Sequence, residues 1–481
     1  MAVRTAAVYS GQRVARSTSA NSSQQAPGPR SGLGIGEAIA FRRSPLAYLQ
    51  RLATTYGDVV HFRLGWRNAF LLNHPDLVQE FLVVHASRQV RGPVMQRGRA
   101  VMGKGLLTSE DPLHATQRRL IQPAFYRERL ARHAQVMGEY ASTACSRWRV
   151  GETIDLRKEM MGLTLEILGK TLFNQQIEED AGEIGEAVTE LMSLVDLVFV
   201  PFSQHLMRLP LPGMGRLRKV RERFDRLIYG LIEERMRSRT DGDDLLSMLL
   251  QHQLNEGNRE QAIRQVRDEC LTILLAGHET IANALTYALF LLAQHPEHTD
   301  RIRAEVCHVS GLKDLQAQDY EHLAFTRCAF LESMRLYPPV WVLGRTLKQS
   351  CSVGLYTAPR NSILFASQYL LHRDARFFPE PEAFHPDRFL GNSKMHQVAF
   401  FPFGIGPRRC IGEGFALMEG VLALGTILRR WEVKLLPETR LVLDPKITLR
   451  PKFPVLVSVK SAQELGGATH ECKPGSVPSC A

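Results

Sequence analysis

The chain has 481 residues, of which 44% are hydrophobic and 23% are charged. This ordinary globular composition excludes an intrinsically disordered chain, a collagen-like repeat and a small disulfide-framework protein. The net charge of +11 includes no dense Lys/Arg cluster alternating with aromatic residues, so it does not favour nucleic-acid binding, and an acidic protein partner explains it equally well.

Cysteine usage and hydropathy narrow the class of protein further. The eight cysteines form no CxxC pair, which argues against a zinc site or a disulfide scaffold and favours a reducing compartment. No uninterrupted run of about 18 apolar residues could span a bilayer, and the N-terminus lacks the apolar core of a secretory signal. We expect a soluble, cytoplasmic protein without a transmembrane anchor. The acid-free start with Arg and Ser leaves a mitochondrial transit peptide as the alternative.

The first half of the chain is predicted to be mainly helical. Residues 1–34 have the composition of a flexible leader. Residues 57–73 alternate apolar and polar side chains around Gly65-Trp66, which predicts a small hairpin. The apolar stretch 190–215 fits either the end of a core helix or a lid over a pocket. Apolar residues at spacings of three and four predict amphipathic helices over 130–175, 216–252, 260–294 and 296–308.

After Pro338 the pattern changes. Residues 340–368 form short β-like segments broken by Pro and Gly, and residues 372–407 are predicted to be an ordered, functional loop because structureless loops of this length are uncommon. Helical periodicity returns over 411–431, before a β-rich end. The fold class predicted is therefore mainly α with a smaller β part. Residues 461–481 are predicted to be a disordered tail.

The strongest motif runs from Phe403 to Gly412 and reads FGIGPRRCIG. Its glycines allow sharp turns and close backbone approach around Cys410. A thiolate at the start of a helix is stabilised by unpaired N–H groups and by the helix dipole, so we expect a lowered thiol pKa that favours metal ligation. The alternative is a buried free cysteine beside a glycine-rich turn.

This segment resembles the haem-binding loop of the cytochrome P-450 superfamily. The resemblance implies that Cys410 is the axial thiolate ligand of a haem b iron and that Phe403 and Gly404 contact the haem. It covers the chain from about residue 35 to about residue 460 with the family's motifs in order. It thus implies one domain over 35–460, with the haem between a long central helix and the cysteine loop, as in soluble bacterial members.

A second motif lies inside a long apolar helical pattern, in the sequence AGHET. Glu279 and Thr280 interrupt a segment otherwise suited to burial, and a buried carboxylate is costly without a partner, so they are functional candidates; a satisfied polar cluster is the alternative. By resemblance they form the acid–alcohol pair that delivers protons at the oxygen site, where Ala276 contacts haem and Gly277 leaves room for oxygen. Ile281 departs from the family pattern, in which a second hydroxyl residue is often found.

A third motif is structural. Glu332 and Arg335, at positions i and i+3, can pair on one helix face. Glu234 and Arg237 repeat this spacing in a charged helix, where a surface pair contributes little. The apolar surroundings of the later copy favour a structural role, and the resemblance implies that Arg388 completes a triad.

Haem carries two propionates, which need cationic partners, and arginine suits a carboxylate through its bidentate fork. His114 and Arg118 match the HxxxR pattern of the family, and Arg345 and Arg408 occupy two further matching positions. A solvated basic residue is the alternative for each.

The resemblance also implies an apolar substrate pocket. Its expected lining is 86–107, the 190–215 stretch, Leu275, Ala276, Val340–Leu343 and Ile447–Leu449.

The function implied is a haem-thiolate monooxygenase that inserts one oxygen atom from O2 into a lipophilic substrate such as a terpenoid or fatty acyl compound. Because one haem domain fills the length, we expect electrons from a separate ferredoxin or flavodoxin with its NAD(P)H reductase, and a monomer. Two alternatives are a haem-thiolate enzyme that uses or rearranges peroxides and a non-catalytic haem sensor. The Glu279–Thr280 pair argues against both.

Overall fold

The structure is a computed structural model that describes residues 25–30, 32–174, 181–198, 212–238, 242, 244–255, 258–311, 313–391 and 398–462. Most of the predicted leader and tail lies outside these residues, as does 199–211 of the apolar stretch. Of the described residues in that stretch, 190–198 form the end of one helix, in which Leu191 and Leu194 are buried, and 212–215 form the start of the next.

The described α-helices, in chain order, are α1 (Ile35–Arg43), α2 (Pro45–Tyr56), α3 (Pro75–Gln79), α4 (Pro93–Met102), α5 (Leu113–Ile121), α6 (Arg127–Arg147), α7 (Leu156–Phe173), α8 (Ala181–Val198), α9 (Pro212–Ser238), α10 (Leu245–Asn255), α11 (Arg259–Leu292), α12 (Pro296–Ser310), α13 (Ala324–Leu336), α14 (Gln368–Leu371) and α15 (Glu413–Arg430). The fold class, mainly α with a smaller β part, is confirmed.

The strands are short: β1 (Val59–Leu64), β2 (Arg67–Leu72), β3 (Gln89–Arg91), β4 (Thr153–Asp155), β5 (Leu343–Leu347), β6 (Cys351–Val353), β7 (Tyr356–Ala358), β8 (Ile363–Ala366), β9 (Trp431–Leu435), β10 (Leu443–Pro445), β11 (Leu449–Pro451) and β12 (Leu456–Ser461). The main sheet has the order β1-β2-β8-β5-β3, and β4-β12-β9 form a second sheet; β10 pairs with β11, and β6 with β7.

The predicted hairpin is confirmed, since β1 and β2 pair antiparallel around Gly65-Trp66. The helical pattern predicted over 130–175 is divided between two helices, α6 and α7. The chain leaves the helix after Arg147, turns at Gly151 with φ 80°, and forms β4, which pairs with β12. Helical periodicity on both sides of the turn had concealed this break, because β4 is only three residues long.

The described chain contacts the fold before Ile35. Ala26 is buried, and the Pro27 carbonyl accepts a hydrogen bond of 2.8 Å from the His61 amide of β1. Residues 26 and 27 therefore pack along the edge of the main sheet although their composition is that of a leader.

The long helix α11 runs through the core. Asn258 caps its start by accepting from the amides of Glu260 and Gln261, and Pro296 follows shortly after its end. From Glu269 to Leu292 every residue is buried except Ala276, Gly277 and Thr280. In the described part of the chain, no helix combines the length and apolar character needed to cross a membrane.

Candidate active site

The cysteine loop is held by its own backbone. The Cys410 amide donates to the Phe403 carbonyl at 2.9 Å, and the Gly404 amide donates to the Phe401 carbonyl at 2.9 Å. Gly404 and Gly406 have φ of 70° and 75°, a region that favours glycine. A Cβ atom on Gly406 would also lie 2.4 Å from the Leu82 carbonyl oxygen. Both glycines are thus required by the loop that presents Cys410.

The Cys410 side chain is exposed, yet the protein atoms around it desolvate the thiol. It therefore faces a gap between elements. Burial raises the pKa of this thiol to about 11, against the lowering effect of the Gly412 amide. The expectation of a lowered pKa is wrong because desolvation outweighs the helix start. A metal ion bound at the sulfur would favour the thiolate over the thiol.

Helix α11 has a matching gap. Ala276 is exposed and Gly277 and Thr280 are half-buried, within a helix whose other residues on both sides are covered by protein. Positions i and i+4 lie on one helical face, so Ala276 and Thr280 open the same side of the helix. An uncovered face in the middle of a core helix is space for a ligand.

Different contacts explain the threonine at position 280 and the glycine at position 277. The Thr280 hydroxyl donates to the Ala276 carbonyl, one turn back along the helix, at 2.6 Å. A Cβ atom on Gly277 would lie 2.9 Å from Leu168 Cδ1 of α7. Close packing of α7 against α11 therefore explains this glycine, a reason that the sequence did not indicate.

Glu279 is buried in a polar cluster beside this gap. Neither carboxylate oxygen meets hydrogen-bond geometry with a protein donor, although the Thr448 hydroxyl lies beside it. Burial raises the pKa of Glu279, and the nearby positive charges of Arg450 and Arg157 oppose this rise. The carboxyl therefore keeps a proton to higher pH than an exposed glutamate does.

All four predicted basic residues lie next to the cysteine loop, and His114, Arg345 and Arg408 form a cluster there. Arg408 donates to the Ser109 carbonyl at 2.8 Å and pairs with Glu110 at 3.1 Å. Burial and the charge of Arg408 lower the pKa of Arg345 to about 10 and of His114 to about 4. Arg118 instead donates to the Arg409 carbonyl at 2.8 Å, bracing the loop itself.

A fourth member, Arg91, has no motif in the sequence. It lies directly opposite Arg345 in the antiparallel β3–β5 pair, and both are buried. The Arg91 Nε atom has no hydrogen-bond partner, and burial with repulsion from Arg345 and Arg408 lowers the pKa of Arg91 well below its usual range. Like charges gathered in the interior with an unpaired donor call for an anion, and haem propionates meet this need. Together with Cys410, these residues fit haem.

Replacing Arg91 with glutamine is expected to speed haem loss by roughly 10- to 100-fold, since a hydrogen bond to a charged group is worth about 1.5–3 kcal/mol. The measurement is haem transfer to an excess of a haem-free acceptor protein. Arg88→Gln, which changes an exposed arginine three residues earlier, is the matched control. Equal rates for the two variants would remove Arg91 from the site.

A segment that the motifs missed links α11 to the basic cluster. Asp268 of α11 accepts from the Lys104 amide at 2.7 Å, and Glu269 accepts from the Leu106 amide at 2.8 Å. This segment continues to Ser109, which contacts Arg408. The carboxylates of α11 thereby fix the chain that leads to the basic cluster.

The predicted triad is confirmed. Arg335 and Glu332 are fully buried and form a bidentate pair at 2.7 and 2.9 Å, and Arg388 Nε lies 3.1 Å from Glu332 Oε1. Arg335 also donates to the carbonyls of His372, Pro381 and Ala383. It therefore ties α13 to the segment that precedes the cysteine loop.

Comparisons with known proteins agree with this geometry. The chain is 35% identical to cyclooctatin synthase of Streptomyces melanosporofaciens over 86% of this chain and 91% of that protein. It is 34% identical to cyclooctat-9-en-7-ol 5-monooxygenase of the same organism, over 85% and 89%. It is 32% identical to pentalenene oxygenase of Streptomyces avermitilis, over 84% and 90%. The sequence profile of cytochrome P-450 matches residues 26–457. The chain belongs to the cytochrome P-450 family and is a monooxygenase of that family.

Proposed function

We propose that Cys410 holds haem b and that the enzyme inserts one oxygen atom from O2 into a terpenoid, at the gap in α11. The observation that carries this proposal is the uncovered face of Ala276, Gly277 and Thr280, with a buried acid, Glu279, beside it. Haem supplies the oxygen chemistry when it is bound. The chain supplies ligation through the Cys410 sulfur, charge balance through the arginine cluster, and protons.

Glu279 and Thr280 have different roles in proton delivery. The raised pKa of Glu279 lets its buried carboxyl hold a proton that it can release to a neighbour. The Thr280 hydroxyl donates its hydrogen bond to the Ala276 carbonyl, so its oxygen lone pairs stay free to accept from a water molecule in the gap. This arrangement orients a donor chain toward the gap.

The substrate class rests on the lining and on the relatives. Leu275 is buried beside the gap. The half-buried Leu343 packs near Gly404 of the cysteine loop, since a Cβ atom added to Gly404 would lie 3.6 Å from Leu343 Cδ1. An apolar wall favours a lipophilic ligand. Two relatives are named for cyclooctat-9-en-7-ol and pentalenene, which favours a cyclic alkene or alkenol of terpenoid type over a fatty acyl chain.

We further propose that a separate ferredoxin or flavodoxin supplies the electrons. Exposed arginines lie in the cysteine loop, on α5 and at the start of α6: Arg409, Arg119 and Arg127. Arg409 pairs with Glu413 and Arg127 with Glu321, so the positive charge available to steer an acidic partner is that of Arg119 together with the net charge of +11.

The function is tested by screening cyclic terpenes for shifts in the haem spectrum and then supplying ferredoxin, its reductase and NADPH under labelled dioxygen. The expected product carries one labelled oxygen atom. Turnover with peroxide but not with the electron donor would favour a peroxide-using enzyme. Ligand-induced spectral shifts without turnover under either condition would favour a haem sensor.

Thr280→Ala is expected to keep its haem but to divert most electrons from product to peroxide or water, because the hydroxyl that orients the proton donor is lost. The measurement is the ratio of product to NADPH consumed, with peroxide quantified. Thr286→Ala is the matched control, since the Thr286 hydroxyl makes the same contact, to the Ala282 carbonyl at 2.7 Å, away from the gap. Full coupling in Thr280→Ala would contradict the proposed role.

A further inference from the structure

The turn between α11 and α12 brings three potential metal ligands together, away from the haem site. His295 occupies the residue position just before α12, Glu297 lies in the first turn of that helix, and His298 follows. The amides of His298 and Thr299 donate to the His295 carbonyl at 3.1 and 3.2 Å, and the Thr299 hydroxyl donates to the Leu292 carbonyl at 2.9 Å. The backbone that carries the three side chains is therefore held in one conformation.

The distances between the three potential ligand atoms are close to those between ligands of a single metal ion. His295 Nδ1 lies 3.2 Å and His298 Nε2 lies 3.8 Å from Glu297 Oε1, and all three atoms lie within 4.8 Å of one another. Ligands at the corners of a tetrahedral zinc site with bonds near 2.1 Å are about 3.4 Å apart. The spacing of the three donors is therefore close to what one metal ion requires.

Aromatic neighbours hold both imidazoles. The His295 ring lies 5.3 Å from the Phe384 ring, and the His298 ring lies 5.7 Å from Phe384 and 5.9 Å from Phe325. Such packing lowers the entropy cost of ordering the ligands.

The cluster borders a surface cavity of about 600 Å³, whose wall also includes Glu382 and His385. This space has room for water or a further protein ligand on the metal. We propose that His295, Glu297 and His298 bind one divalent transition-metal ion of the Zn²⁺, Ni²⁺ or Cu²⁺ class. Two imidazoles with one carboxylate suit these ions, whereas Mg²⁺ and Ca²⁺ prefer an all-oxygen ligand set.

The site stabilises the junction of α11 and α12. Phe384, which packs on both rings, precedes His385, whose amide donates to Glu332 at 2.9 Å. A metal ion that fixes the imidazoles therefore also fixes the segment that is tied to the buried triad. The simpler reading, an ion pair at a helix start, needs no metal and predicts no zinc stoichiometry.

The test is equilibrium dialysis of the haem-loaded enzyme against Zn²⁺, with Mg²⁺ in excess to mask weak surface carboxylates. We expect one bound Zn²⁺ per chain and a zinc-dependent rise in the thermal midpoint. His298→Gln and Glu297→Gln should each weaken binding at least about tenfold. His308→Gln, in the last turn of α12, is the matched control and should bind as the parent does.

The outcomes separate cleanly. Binding below one equivalent, or equal binding by His298→Gln, Glu297→Gln and His308→Gln, would overturn the site. If loss of the His298 ring lowers stability, Glu297→Gln is the variant to use, because the Glu297 side chain is exposed and its replacement should not disturb the fold. Unchanged haem spectra in metal-free buffer would show that a variant retains the fold.

Discussion

Replacing Cys410 with serine is expected to abolish the thiolate-type spectrum of the reduced carbon monoxide complex. A serine hydroxyl is a hard oxygen donor that keeps its proton, so it does not replace a soft thiolate on iron. The loop itself should persist, because its hydrogen bonds to Cys410 run through the backbone amide and its turns depend on Gly404 and Gly406. The variant should therefore fold while losing the spectrum and monooxygenase turnover.

The control for this experiment is a cysteine outside the loop. Cys307→Ser changes a half-buried thiol in α12 and should leave the carbon monoxide spectrum as it is in the parent. Circular dichroism and bound haem content separate a lost ligand from a lost fold. A parent-like spectrum in Cys410→Ser would refute the ligand assignment.

Arg335→Leu is expected to lower the free energy of unfolding by about 3–5 kcal/mol, because removing one partner leaves the fully buried Glu332 inadequately paired. Three backbone carbonyls also lose their donor, and Arg388 at 3.1 Å is then the remaining charged partner of Glu332 in the triad. The measurement is urea unfolding followed by circular dichroism.

The chain offers a matched comparison with the same sequence spacing. Arg237 follows Glu234 by three residues in α9, and both are exposed. Arg237→Leu should change the free energy of unfolding by less than about 0.5 kcal/mol. A similar cost for the two variants would show that burial does not decide the role of the motif.

Sequence motifs predicted the residues whose partners lie a few positions away in the chain, and those that belong to motifs occurring in the order typical of the family. The i, i+3 spacing placed Glu332 and Arg335 on one face, and the Cys410 loop carried its own turn residues. Arg91 could not be predicted in this way. Its role depends on the β3–β5 register, which sets it opposite Arg345 across more than 250 residues of chain.

Burial and contacts between distant segments decided features that residue spacing could not predict. The sequence predicted that the helix start would lower the thiol pKa of Cys410, but the protein packed around the sulfur reverses the direction. The break after Arg147 was hidden because its strand is held by pairing with β12 rather than by local propensity. The His295–Glu297–His298 spacing was visible in the sequence, yet it gains meaning from Phe325 and Phe384, which are distant in the chain.

The sequence by itself determined the family, the fold class and the identity of the residues expected at the cysteine, acid–alcohol and ion-pair motifs, because turn glycines and helical spacings act over a few residues. The tertiary structure decided which charges are buried together, which face of α11 is left uncovered and which way each pKa moves. These depend on desolvation and on contacts between distant segments, and neither is encoded in local spacing.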